Sequence, residues 1–81
     1  SALVVASEEY AAAREIVPRA RIVAYASGGT APERVMFAPI IAVRNLMEKM
    51  GVGIDHFDLI ELNEPFAAAS IGVMRELECD P

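Results

Sequence analysis

Asp58-Leu-Ile-Glu-Leu-Asn-Glu-Pro-Phe-Ala67 is the stretch whose reading decides the fold. Phe57 to Leu62 has the length and apolar character of a strand buried on both faces. From Phe66 onward, Phe66, Ser70, Val73, Met74 and Leu77 recur on one side of a helix. Between them stand an amide, a carboxylate and a proline. In open α/β sheets ligands bind in the crevice beyond the carboxyl ends of the strands, so Asn63 and Glu64 are placed where a substrate can meet them.

Working outward, the same alternation repeats. Ala2-Leu-Val-Val-Ala6 and Ala20-Arg-Ile-Val-Ala-Tyr-Ala26 predict two further strands. Ser7 predicts a helix N-cap, with Glu8 and Glu9 complementing the positive helix end and Pro18 ending the helix by Val17. Thr30-Ala-Pro-Glu33 has the spacing of a capping box and predicts a short helical turn. Ala38-Pro39 opens another helix, with Ile40, Val43, Met47 and Met50 in phase and Gly51 as its left-handed stop. The predicted order is strand, helix, strand, helix, strand, helix, an α/β class with about three parallel strands joined by right-handed crossovers.

Composition bounds what such a chain can be. Its 81 residues are 54% hydrophobic, with a mean hydropathy of +0.35. A domain this short buries only about 60 to 65% of the surface its unfolded chain exposes, and three strands with three helices leave sheet faces and edges uncovered. The one cysteine, Cys79, has no internal partner for a disulfide. The chain therefore reads as part of something larger, or as an obligate oligomer. A net charge of −5, with six arginines scattered from Arg14 to Arg75, argues against a nucleic-acid partner. No apolar run reaches the length of a membrane span and no leader pattern opens the chain. A soluble intracellular protein is expected, cytoplasmic or, in a eukaryote, in an organellar matrix.

Each candidate residue has a plain reading beside the chemical one. Asn63 before a helix suits an N-cap, the favoured reading for an isolated asparagine; the chemical reading is an amide that donates to a developing negative charge, directly or through water. Glu64 and Pro65 suit a first helical turn. Ser27-Gly28-Gly29-Thr30 lacks the spacing of a phosphate loop and reads as an ordinary turn. Asp55, His56 and Asp58 are too closely spaced to converge on one ion, so no metal is expected. Cys79, between Glu78 and Asp80, is a poor nucleophile.

Glu61-Leu-Asn-Glu-Pro-Phe-Ala67 resembles the N-E-A-F-A segment of thiolases, enzymes that make or cleave a carbon–carbon bond between acyl-CoA thioesters. The resemblance runs the length of the chain. Ala2 to Glu8 is similar to a strand-to-helix step of that family, Pro18 to Ala26 to its next strand, and Pro32 to Pro39 to its P-x-x-M-G-x-G-P stretch. It implies a fold of two similar halves, each a mixed five-stranded sheet with helices, layered α-β-α-β-α. Residues 1–17 would end the first half and 18–81 begin the second.

For the site, the resemblance implies that Asn63 holds a water of the oxyanion hole, that Pro65 and Phe66 line the acyl and pantetheine channel, and that Met36 faces the substrate. Coenzyme A thioester enters as substrate, with no separate cofactor. The remainder of a thiolase chain and a homo-oligomer of the parent are the implied partners. Two departures reshape the channel: Pro65 replaces the usual alanine, and Met36-Phe-Ala-Pro39 is one residue shorter and lacks the glycines. The family's nucleophilic cysteine, G-H-P histidine and C-x-G cysteine are not matched by Cys79 or His56, so these 81 residues are expected to be inactive alone. Two other readings stand beside this one, a thiolase-like protein that binds acyl-CoA or lipid without catalysis and a stand-alone α/β interaction domain.

Overall fold

A computed structural model describes residues 1–79, and among these it contains three α-helices, two 3-10 turns and no strand. The three predicted strands, and with them the sheet layers, are thus overturned for this chain. Ala2–Ala6, Ala20–Ala26 and Phe57–Leu62 form no ladder with one another. A strand exists only through hydrogen bonds to a neighbour, and apolar character without a neighbour does not create one. Nor are the segments covered on both faces: Val4 is 98% exposed and Leu59 82%.

Helices form where local signals suffice. The helix Glu8–Ala13, α1, starts at Ser7, whose Oγ accepts the Tyr10 N–H at 3.1 Å. The same hydroxyl and the Glu9 backbone N–H act on the Glu9 carboxyl. The backbone N–H, then Ser7, hold it below the usual carboxylate range. The helix stops four residues short of Val17. Glu15 turns left-handed at φ 54°, its N–H reaching the Ala12 carbonyl and that of Ile16 the Ala11 carbonyl. This is a Schellman closure, complete before Pro18 can act.

Pro32–Phe37 is a 3-10 turn that runs directly into the helix Ala38–Met50, α2. Thr30 does not cap it; Ala31 is the cap residue and the capping box is not made. Pro32 and Pro39 instead occupy first-turn positions, where the missing N–H costs nothing. Gly51 at φ 68° ends α2 as predicted, with Gly51 and Val52 N–H groups on the Glu48 and Met47 carbonyls. After a short turn at Ile54–His56 and an irregular segment, the helix Ala67–Leu77, α3, closes the described chain.

The core is small. Ile40 of α2 meets Val73 and Leu77 of α3, with Phe37, Val43, Leu62 and Cys79 packed around them. Met47, Met50 and Met74 are half-buried. Arg44 of α2 bridges to the Glu76 carboxylate of α3 at 2.9 Å, an exposed pair worth at most about 1 kcal/mol. The accessible surface is 7146 Å², against about 4,700 Å² for a closed monomer of this size. The radius of gyration is 15.7 Å, where about 12 Å is usual. The predicted excess of apolar surface over what the chain can hide is therefore present.

The second irregular segment is held by α2. Burial alternates along it, with Ala24, Ala26 and Gly28 half-buried and Tyr25 and Ser27 exposed. A Cβ on Gly28 would come within 2.8 Å of the Ile41 carbonyl carbon, so the segment touches the helix backbone there. One turn on, Asn45 Nδ2 donates to the Ser27 carbonyl at 2.9 Å. A further turn on, Lys49 Nζ donates to the Tyr25 carbonyl at 3.2 Å and lies 4.7 Å from the Tyr25 ring centroid.

Candidate functional site

The turn Pro32–Phe37, the loop before α3 and the start of α3 enclose an open groove of about 160 Å³. Val35, Met36 and Pro39 contribute from the turn and the first residues of α2. Leu62, Asn63 and Pro65 contribute from the loop, and Ala69 and Val73 from α3. Among the described residues that line it, Asn63 is the one with a polar side chain, set among apolar neighbours.

Asn63 is not a helix cap. Phe66 is the cap residue of α3, extended at φ −149° and ψ 139°, and its carbonyl accepts the Ala69 and Ser70 N–H groups at 3.0 and 3.3 Å. Pro65 disfavours helical backbone at Glu64, and with Phe66 also extended the helix opens only at Ala67. Glu64 and Pro65 therefore lie in the loop, outside the first turn. Among the described residues the Asn63 carboxamide has no hydrogen-bond partner, and the residue is exposed.

Of the four residues singled out for substrate contact, the structure brings Asn63, Met36 and Pro65 to one groove. Phe66 is outside its lining and 63% exposed. Val35, Pro39, Leu62, Ala69 and Val73 escaped the sequence reading as lining residues. The spacing of Ala69 and Val73, four apart on α3, was the available signal, since it puts both on one helix face. His56 is exposed on its turn, its ring edge-on to Phe57 at 5.4 Å between centroids. Neither His56 nor Cys79 lines the groove.

Residues 16–81 match the family model described as thiolase, C-terminal domain. The chain belongs to the thiolase family. It is 49% identical over 77 residues to the 3-oxoadipyl-CoA/3-oxo-5,6-dehydrosuberyl-CoA thiolase of Escherichia coli strain K12, covering 95% of this chain and 19% of that one. It is equally 49% identical over 77 residues to the acetyl-CoA acetyltransferase of Syntrophomonas wolfei, with the same coverage. The acetyl-CoA acetyltransferase of Paracoccus denitrificans is 42% identical over all 81 residues, 21% of its own length. This thiolase-family chain thus spans about a fifth of the curated relatives it matches. No solved structure matches it.

Proposed function

We propose that this chain is the part of an acyl-CoA C-acyltransferase that supplies the oxyanion-hole asparagine and one side of the substrate channel. The observation that carries the reading is the position of Asn63, an exposed carboxamide without a hydrogen-bond partner among the described residues, in an apolar groove shared with Met36 and Pro65. Relatives named for thiolysis and acetyl transfer of CoA thioesters support the reaction class.

The chemistry follows from the groups. When a thiolate adds to a thioester, the carbonyl oxygen takes up negative charge. A neutral amide that donates to that oxygen, directly or through a held water, stabilises the charge without titrating. The apolar walls offer a seat for acyl and pantetheine methylenes. In the condensation direction the carbanion of acetyl-CoA attacks the acyl-enzyme and the cysteine thiolate leaves; in the other direction that thiolate cleaves a 3-oxoacyl-CoA, acetyl-CoA leaves as its carbanion and is protonated, and the CoA thiol then takes the acyl group from the cysteine. The single cysteine and histidine here, Cys79 and His56, do not line the groove. We therefore assign the acylated cysteine and the proton-transfer groups to the remainder of a full-length thiolase, in a homo-oligomer.

The test is Asn63→Ala in the full-length protein, assayed by acetoacetyl-CoA thiolysis. Loss of one oxyanion donor costs about 10²–10³ in kcat, and at least a ten-fold fall is expected. Unchanged turnover removes Asn63 from the mechanism.

A further inference from the structure

We infer that the contact between Phe37 and Gly72 is the positioning element that sets the width of the groove, and with it the acyl chain length accepted; this rests on the acyl-CoA reading above. A Cβ built on Gly72 would lie 2.5 Å from Cε1 and 3.3 Å from Cζ of the Phe37 ring. Ordinary carbon contacts are about 3.5–4.0 Å. The missing side chain of Gly72 is therefore a slot in α3, and the edge of the Phe37 ring fills it.

The slot is formed by residues next in sequence to the groove lining. Gly72 precedes Val73 and follows Ala69 by one turn, and these two form the α3 side of the groove. Phe37 follows Val35 and Met36, which line the groove from the 3-10 turn. The ring itself is outside the lining, packed against the cluster of Ile40, Val73 and Leu77, with the Arg34 guanidinium 5.9 Å from its centroid. Phe37 is also the residue through which the 3-10 turn passes into α2, where the Ala38 N–H closes on the Val35 carbonyl. A ring lifted out of the slot carries the turn with it. Met36 then moves away from α3 and the groove opens.

The experiment uses the full-length protein and compares kcat/KM for thiolysis of acetoacetyl-CoA and 3-oxooctanoyl-CoA. Gly72→Ala is expected to shift the ratio about ten-fold toward the longer substrate, through KM more than kcat, since one methylene of pocket space is worth about that much. Phe37→Leu, which lets the turn settle onto α3, is expected to shift it toward acetoacetyl-CoA. The double variant, with less bulk facing the new methyl, returns the ratio toward that of the unsubstituted protein. A contact that serves only packing lowers the melting temperature in each variant and leaves the ratio unmoved, which overturns the inference. If Gly72→Ala does not fold, Phe37→Leu decides alone. Thiolysis absent from the unsubstituted protein overturns the acyl-CoA reading, and this inference with it; turnover with an unmoved ratio overturns this inference only.

Discussion

Asn45 Nδ2 donates to the Ser27 carbonyl at 2.9 Å, one helical turn beyond the point where Gly28 rests on the backbone of Ile41 and Ala42. Residues 25–28 thus lie along a stripe of α2 that a sheet neighbour does not share. A side-chain bond of this kind contributes about 1 kcal/mol. Asn45→Ala should lower the unfolding free energy of the full-length protein by about that amount, measured by urea denaturation. A stability equal to the unsubstituted protein would show that the stripe does not hold the segment.

Gly28 is the tighter point of the same seam. The atoms a Cβ would meet are the backbone of Ile41 and Ala42 as well as the Ile41 Cβ, and helix backbone cannot swing aside. Gly28→Ala should cost about 1–3 kcal/mol, the range for overpacking, while Gly29→Ala, whose Cβ meets nothing within 4 Å, should cost less. Equal destabilisation of the two variants in parallel urea titrations would contradict the docking.

All three helices close through a left-handed residue, and only one of these is glycine. Glu15 stands at φ 54°, Gly51 at φ 68° and Glu78 at φ 56°. Glu78→Gly should stabilise by about 0.5–1 kcal/mol and Gly51→Ala should destabilise by about as much. Thermal unfolding of the full-length variants reads both signs, and shifts in the same direction would refute the assignment.

Ser7 and Glu9 form a local acid-sensitive pair. The Glu9 carboxyl is held below its ordinary value by its own backbone N–H and then by Ser7. A carboxyl with a depressed folded-state pKa contributes stability that is present above the ordinary carboxylate pKa and lost as pH falls through the lowered value. Ser7→Ala should move the Glu9 midpoint upward in a carboxyl NMR titration. A midpoint that stays put would exclude the hydroxyl as a cause.

Met36 and Asn63 share a groove but carry different expectations. Met36→Ala removes apolar wall and should raise KM for acetoacetyl-CoA, by up to about ten-fold, with kcat less affected. Asn63→Ala should act on kcat. Matching effects of the two substitutions on both constants would break the division between wall and donor.

What was legible in the sequence was what is decided locally. The Ser7 cap, the Gly51 stop, the helix from Ala38 and the helix carrying Ser70, Val73 and Leu77 all rest on signals within a few residues. The strands failed because a ladder is a relation to another segment, and Ala20–Ala26 and Phe57–Leu62 do not provide one for each other. The helix start failed by a few residues, since Phe66 stays extended and leaves Asn63 free of capping. Of the groove residues, Asn63 is legible from its place after an apolar run and Met36 and Pro65 from resemblance, whereas the Phe37 slot is hidden. A glycine inside a helical pattern signals close approach without saying to what.

The extended, unladdered segments also carry a dynamic consequence. Amide hydrogens of residues 20–26 and 57–62 have no sheet partner here to slow their exchange with solvent deuterium, whereas those of α2 and α3 are held in helical turns around Ile40, Val73 and Leu77. Two exchange regimes are therefore expected in one short chain, and any surface that shields the fast set should register as a gain in protection centred on Ile22, Val23, Leu59 and Ile60.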